Sequence, residues 1–183
     1  MNAPHHPFRR FTNADVRRMV EVGIMAENER VELIRGELVP MAAEHDLHAR
    51  ARALLTRIFA RTLGPEFFVA SNTSLFLTED IEVQPDLHVF LSAMKSEVAR
   101  GPDVLVAVEL SSTTQHYDLK VKMPIYAEWG VRELWVIDIE ARTGLVFDRI
   151  EERAYAPGRP VGLQDVLTPK FLPAVSLRIS DLF

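Results

Sequence analysis

The sequence predicts a single α/β (α+β) domain, residues 1–183, in which a central mixed β-sheet is flanked by helices. Two runs, 103–110 and 133–138, are almost wholly apolar, as expected of strands covered on both faces. Helical patterns precede and separate the strand-like segments, and this order favours a mixed sheet between helices. With 183 residues the chain is long enough to bury a substantial core.

An N-terminal helix and a β-hairpin are predicted first. Thr12 or Asn13 can cap the helix, and Gly23 can end it. Residues 30–41 form two β-prone arms around Arg35-Gly36, where glycine readily takes the positive φ of a tight turn. The hairpin therefore has its turn at these two residues.

The clearest helical periodicity lies in residues 45–63, and Gly64-Pro65 ends it. His48 lies in its first turn, where a polar surface role is the alternative to a functional one. The arginines of this helix form either a solvated surface or a face that contacts phosphates. They are Arg50, Arg52, Arg57 and Arg61.

The remaining elements alternate between strands, turns and one more helix. Pro124 either lies in the first turn of that helix or bends it. In chain order we expect strands at 67–70, 75–77 and 85–91, a loop at 92–102, a strand at 103–110, a helix at 113–129, a strand at 133–138, a meander at 144–156, a turn at 157–160, and an edge strand within 171–183 that docks Leu182 and Phe183.

Composition excludes several classes of protein. Cysteine is absent, which excludes disulfides, thiolate metal sites and a cysteine nucleophile. No apolar run is long enough to span a membrane. Met1–Arg10 lacks the apolar core of a secretory signal, so a cytoplasmic protein with a flexible segment at 1–10 is expected.

The net charge of −5 argues against a broad basic surface for nonspecific duplex binding. It is compatible with a metal-dependent nuclease, because acidic groups build the metal site and the bound cation offsets charge where phosphate must lie.

Two acidic residues mark the ends of strand-like runs that could be neighbours in one sheet. Asp86 opens one run and Glu109 closes another. Close carboxylates repel, and a divalent cation relieves the repulsion. Oxygen ligands without cysteine favour Mg²⁺ or Mn²⁺ over Zn²⁺. The alternative is that Asp86 caps its strand and that Glu109 lies at a solvated rim.

A lysine on the following helix can complete this site. Lys122 would orient or deprotonate a water, or meet charge on a phosphate, whereas Lys120 points elsewhere. The alternative for Lys122 is an i,i+4 pair with Asp118. Glu32 and Glu37 flank the hairpin turn; both are solvated strand carboxylates, or one lies at the rim of the active site.

The spaced motifs resemble the Uma family within the PD-(D/E)XK, restriction endonuclease-like superfamily. The resemblance covers most of the chain and includes V-E-L-I-R-G-E-L-V, the helix with His48, and P-D at 85–86. It continues through V-E-L-S-S at 108–112, D-L-K-V-K and Y-A-E-W-G-V to R-E-L-W-V-I-D.

The resemblance implies a restriction endonuclease-like fold in which Asp86 and Glu109 bind the metal, with the backbone carbonyl of Leu110 as a further ligand. Ser111 occupies the lysine position of the superfamily's E-x-K pattern, and Lys122 matches the lysine that replaces it in the Uma family. Other positions that match the family pattern, without an assigned chemistry, are Glu32, Glu37, His48, Ser111 and Asp118.

The function expected from residues and resemblance together is Mg²⁺-dependent (or Mn²⁺-dependent) endonucleolytic hydrolysis of DNA, by a homodimer without membrane association. Two alternatives remain. One is a noncatalytic homodimeric binding or regulatory module on the same fold. The other is a metal-dependent hydrolase of a different phosphate ester.

Overall fold

Helices and strands lie close to the predicted positions in the computed structural model, which describes residues 9–96, 98–112 and 115–183. Most of the segment 1–10, and the expected helix start at Thr113, lie outside the described residues. The helices are α1, Asn13–Glu21; α2, Asp46–Thr62; and α3, which continues through Gln115–Tyr117, Asp118–Lys122 and Met123–Glu128. None of the described helices is both long and apolar enough to cross a membrane.

The strands are short. They are β1 Val31–Ile34, β2 Glu37–Pro40, β3 Phe67–Ser71, β4 Leu75–Thr78, β5 Ile81–Val83, β6 Leu87–Leu91, β7 Val106–Ser111, β8 Leu134–Asp138, β9 Thr143–Phe147, β10 Ile150–Glu151, β11 Ala154–Tyr155, β12 Arg159–Val161, β13 Val166–Leu167 and β14 Leu177–Arg178.

The central sheet is mixed, as the sequence predicts. Its six strands have the order β12-β9-β8-β7-β6-β3. β7 and β8 are parallel and are joined through α3, while the other neighbours are antiparallel. β7 is buried along its whole length, which explains why its sequence is apolar without alternation.

Each face of the central sheet buries its own apolar layer. On one face α2 packs Ala51, Leu55 and Phe59 against the sheet, and Trp135 lies among them. On the other face α3 contributes Tyr126 and other side chains, together with a second sheet of order β2-β1-β5-β4. The second sheet brings the predicted hairpin close to the ends of β6 and β7, where the candidate site lies.

Three local predictions need correction. β5 has no predicted counterpart; it is three residues long and is defined by its pairing with β1 and β4. The predicted turn at 157–160 is partly a strand, because Pro160 lies in the edge strand β12, where a missing N–H is tolerated. The tail strand β14 pairs with β13 in a separate two-stranded sheet, and Leu182 docks in the core as expected.

Gly101 permits a close approach between the 3₁₀ turn Gly101–Asp103 and the end of α3. A Cβ at Gly101 would lie 1.9 Å from the carbonyl oxygen of Trp129. We expect Gly101→Ala to lower the free energy of unfolding by about 1–3 kcal/mol or more, because backbone must move to relieve the clash. Urea denaturation followed by circular dichroism measures this change in the free energy of unfolding.

Gly162→Ala is the matched control, since the nearest atom to its Cβ would be a carboxylate oxygen of Asp165 at 3.7 Å. It should change stability by less than about 1 kcal/mol, because only unfolded-chain entropy changes. Equal losses in the two variants would contradict this role for Gly101.

Candidate active site

The two predicted acidic residues meet at one end of the central sheet. β6 and β7 are antiparallel with Leu87 opposite Val108, so the start of β6 lies beside the end of β7. Asp86 is 8% exposed, and its Oδ2 accepts a hydrogen bond of 2.8 Å from the backbone N–H of Leu110. This bond fixes the Asp86 carboxylate beside the strand that carries Glu109.

Glu109 is buried, at 4% exposure, so solvent at a rim does not relieve its charge. Its Oε1 lies 2.7 Å from Nζ of Lys122 and accepts a 2.5 Å hydrogen bond from the hydroxyl of Tyr126. Burial raises the pKa of Glu109 to about 8, against the opposing effect of the Lys122 ammonium. Its protonation state therefore depends on the cations beside it.

Lys122 lies between two carboxylates. Its Nζ is 2.9 Å from Oε1 of Glu32 and 2.7 Å from Oε1 of Glu109, and its side chain is 5% exposed. Burial alone would lower the pKa of Lys122, but Glu109 and Glu32 outweigh burial and hold that pKa above its usual range. Both Glu32 and Glu109 therefore stabilise the ammonium form of Lys122.

The widened turn of α3 places this lysine. Residues Asp118–Lys122 form a π-helical turn, which ends just before Pro124. Proline has no N–H to continue an α-helical ladder, so a wider turn at this point is expected. Asp118 accepts a 2.6 Å hydrogen bond from Ser111, whereas the Lys122 ammonium contacts Glu32 and Glu109. The ion pairs of Lys122 with Glu32 and Glu109 thus join α3 to β1 and β7.

His48 joins the site from the first turn of α2. Its Nε2 is 2.8 Å from the carbonyl oxygen of Leu110 and 3.3 Å from Oδ1 of Asp86, and its Nδ1 is 3.0 Å from Glu44. Burial lowers the pKa of His48, but Asp86 and Glu44 more than reverse this and raise it to about 9. His48 therefore adds a positive charge to the pocket at neutral pH.

These side chains line one pocket of about 230 Å³. Glu32 is fixed in the wall of the pocket by two hydrogen bonds. It accepts one from the backbone N–H of Gln84 at 2.8 Å and one from the Tyr117 hydroxyl at 3.2 Å. Arg30 and Asn72 also line it. The structure brings Glu32, His48, Asp86, Glu109, Asp118 and Lys122 together here, with Ser111 behind Asp118.

Glu37 lies apart from this group. It is near the turn end of the hairpin, its side chain is 72% exposed, and it pairs with Arg10 at 3.5 Å. Of the two hairpin glutamates, Glu32 is thus the one at the pocket, and Glu37 is a solvated strand carboxylate.

The sequence prediction does not include Glu44, Tyr117 and Tyr126 at the site, nor Arg30 and Asn72 in the lining of the pocket. A signal exists for Tyr126, which is four residues after Lys122 and therefore shares its helix face. Glu44 precedes α2, so no periodicity indicates it. Tyr117 reaches Glu32, 85 residues away in sequence, through the fold alone.

The donor atoms at the strand ends suit a hard divalent cation. Asp86, Glu109 and the carbonyl of Leu110 offer only oxygen, which Mg²⁺ and Mn²⁺ prefer. Within residues 9–96, 98–112 and 115–183, no three side chains of His, Cys, Asp or Glu are grouped so that they could hold a metal. A backbone oxygen and waters would therefore complete the coordination.

Comparison with known proteins places the chain in a family. Residues 15–180 match Uma2, a family described as "Putative restriction endonuclease". The chain belongs to the Uma2 family. None of the curated proteins compared with it matches.

A solved structure shares the fold of this Uma2 protein. It is a protein from Anabaena variabilis described as "a putative nuclease belonging to DUF820". The TM-score is 0.68 at 16% sequence identity, and the match covers 89% of this chain and 94% of the other. The expected restriction endonuclease-like α+β fold is confirmed by this likeness and by the family match.

This Uma2 chain lacks the lysine of the E-x-K pattern, and the structure places a lysine from another element beside Glu109. Ser111, at the usual lysine position, is buried and donates its hydroxyl to Asp118. The ammonium next to Glu109 belongs instead to Lys122, which is contributed by α3.

Removal of the Lys122 charge should be costly. Lys122→Met leaves Glu32 and Glu109 buried without their shared cation, and we expect a loss of about 3–5 kcal/mol in the free energy of unfolding. Guanidinium denaturation in the absence of divalent metal measures it. Lys120→Met is the control, because Lys120 is exposed on the same turn, and it should stay within about 0.5 kcal/mol of the parent. Similar values for the two variants would contradict a structural ion pair at Lys122.

Proposed function

We propose that this protein is an endonuclease that uses Mg²⁺ or Mn²⁺ to hydrolyse phosphodiester bonds in DNA, and that it acts as a homodimer. The supporting observation is the convergence of Asp86, Glu109 and Lys122, from two strands and one helix, on a single pocket. Membership of the Uma2 family supports the same class of activity.

In this proposal Asp86, Glu109 and the Leu110 carbonyl hold the cation. When bound, the cation stabilises charge on the phosphoryl oxygens and makes a bound water more acidic. The Leu110 N–H fixes Asp86 through its Oδ2, and Tyr126 holds Glu109 through Oε1. Such fixed carboxylates bind metal without first losing rotamer freedom.

Of the three candidate roles for Lys122, its surroundings disfavour the deprotonation of water. Glu109 and Glu32 raise the pKa of Lys122, which favours the ammonium over the neutral amine that could accept a proton from water. We therefore assign Lys122 to orientation of the attacking water and to stabilisation of negative charge on the phosphate.

Asp86→Asn and Glu109→Gln test the metal site with little change in shape. Each should lower cleavage of supercoiled plasmid more than about 100-fold, beyond the usual loss from an outer-shell partner. Each should also weaken calorimetric Mn²⁺ binding measured without DNA. Glu37→Gln, which neutralises an exposed carboxylate outside the pocket, should do neither.

The outcomes separate the alternatives. Saturable Mn²⁺ binding that is lost in both pocket variants, with cleavage of plasmid but not of small phosphodiesters, supports a DNA nuclease. Cleavage of small phosphodiesters in preference to plasmid indicates a different phosphate-ester hydrolase. No saturable Mn²⁺ binding to the parent protein would overturn the proposal in favour of the noncatalytic module.

Arg30 is proposed to contact a DNA phosphate beside the scissile bond. It lines the pocket, and its Nη2 donates to the neutral Oδ1 of Asn72 at 3.2 Å. Lys122 and His48, by contrast, are paired with carboxylates. No ion pair of Arg30 is formed within the part of the chain that the structure describes, so its charge is available there to an anion.

Arg30→Ala should reduce the slope of log K for DNA binding against log salt concentration by about 1, because one phosphate contact is lost. Fluorescence anisotropy with a labelled duplex in EDTA measures this without strand cleavage. Arg149→Ala, at an exposed position outside the pocket, is the control and should leave the slope unchanged. An unchanged slope in Arg30→Ala would remove Arg30 from the DNA-binding surface.

A further inference from the structure

The two edges of the central sheet differ in how they are protected from pairing. β12, at one edge, contains Arg159 and Pro160. Charge and proline are devices that prevent an edge strand from pairing with another chain. β3, at the other edge, reads Phe-Phe-Val-Ala-Ser and contains neither. β3 therefore carries neither of these two protections against strand addition.

The backbone groups of β3 that face outward can be identified from the ladder. Asn72 N–H bonds to the carbonyl of Asp86, and Ser92 N–H bonds to the carbonyl of Glu66, so even-numbered residues of this strand face β6. By alternation, Phe67, Val69 and Ser71 direct their N–H and C=O groups away from the sheet.

Most of these outward groups lack a partner within the described residues. The Phe67 N–H bonds to the carbonyl of Gly64 at 3.1 Å, but no such bond reaches the backbone groups of Val69 or Ser71. The β4 edge of the small sheet is different, because α1 covers its end: Asn13 donates to the carbonyls of Thr78 and Glu79.

Apolar side chains flank the β3 edge. Phe68 is 47% exposed and contacts Phe90, with ring centroids 5.1 Å apart. Leu91, opposite Phe67 at the same end of the strand, is 46% exposed. Exposed apolar groups beside unpaired backbone are typical of a surface that another strand covers.

We propose that β3 pairs with β3 of a second copy of this chain, antiparallel and with the twofold axis at Val69. In this register Val69 lies opposite itself, Phe67 lies opposite Ser71, and Phe68 packs beside Ala70 of the other copy. The outward-facing residues are symmetric about Val69, the Phe67 N–H keeps its bond to Gly64, and β3 carries no charged residue that would face a like charge. The two central sheets become one sheet of twelve strands.

This interface accounts for the proposed homodimer but does not depend on catalysis. A shared strand of five residues buries less surface than a standard protein interface. We therefore expect a dissociation constant on the order of micromolar, which sedimentation velocity over about 1–500 µM protein detects.

Charge at the edge tests the interface. Phe68→Lys should weaken the dimer at least tenfold while the far-ultraviolet circular dichroism stays that of the parent. Val69→Pro is a second variant, which removes an outward N–H that has no partner within the described chain. Val166→Lys, at an exposed apolar position of β13, is the control and should leave dimerisation unchanged. A monomeric parent protein, or a dimer that both β3 variants retain, would overturn the proposal.

The register is tested by crosslinking, since the chain has no native cysteine. Val69→Cys should give a covalent dimer with a short bismaleimide, because the two copies of this residue face each other across the axis. Glu66→Cys should not, because its two copies would lie about 20 Å apart. Equal crosslinking of the two variants, or preference for Glu66→Cys, would exclude this register. Metal binding and cleavage are measured separately, so failure here leaves the nuclease proposal intact.

Discussion

The buried ammonium of Lys122, shared between Glu32 and Glu109, is the interaction on which this architecture depends. It joins the hairpin strand β1, the central strand β7 and the helix α3 at one point. None of the three charged groups has enough solvent to be stable alone. Together their opposite charges offset the cost of burial. Because the three groups must stay in contact, they fix the positions of the small sheet, the large sheet and the helix relative to one another.

The same contact connects the fold to the chemistry. The helix that carries Lys122 also carries Tyr126, and both reach one oxygen of Glu109. On the opposite side of the pocket, α2 uses buried apolar residues to pack on the sheet and its first turn to present His48. Both helices therefore pack on the sheet and also present a residue at the site.

Sequence patterns predicted the parts of this protein that local physics determines. The sequence reveals the apolar run of β7, the periodicity of α2 and the Arg35-Gly36 turn. In each case burial or backbone geometry restricts which residues can stand at those positions. The acidic ends of two runs, with a lysine on the next helix, predicted residues that the structure brings to one pocket. The resemblance to the Uma family supplied the correspondence of Lys122 that spacing alone left open.

What sequence could not provide is set by contacts between distant segments. β5 exists because β1 and β4 pair with it, and three residues are too few to show a period. Glu32 lies three residues before the Arg35-Gly36 turn and Glu37 directly after it. Of the two, Glu32 contacts Lys122 and accepts a hydrogen bond from the backbone N–H of Gln84, which follows β5. Long-range pairing, rather than propensity, distinguishes the two glutamates.

The acidic lining of the pocket has a consequence for the docking of nucleic acid. Its carboxylates, which include Glu32, Asp86, Glu109 and Asp118, outnumber the cationic side chains Lys122, His48 and Arg30. A polyanion that approaches this surface is repelled, whereas a small cation is attracted. With the proposed roles, a bound cation therefore strengthens the docking of nucleic acid, because it offsets the acidic lining at the mouth of the pocket.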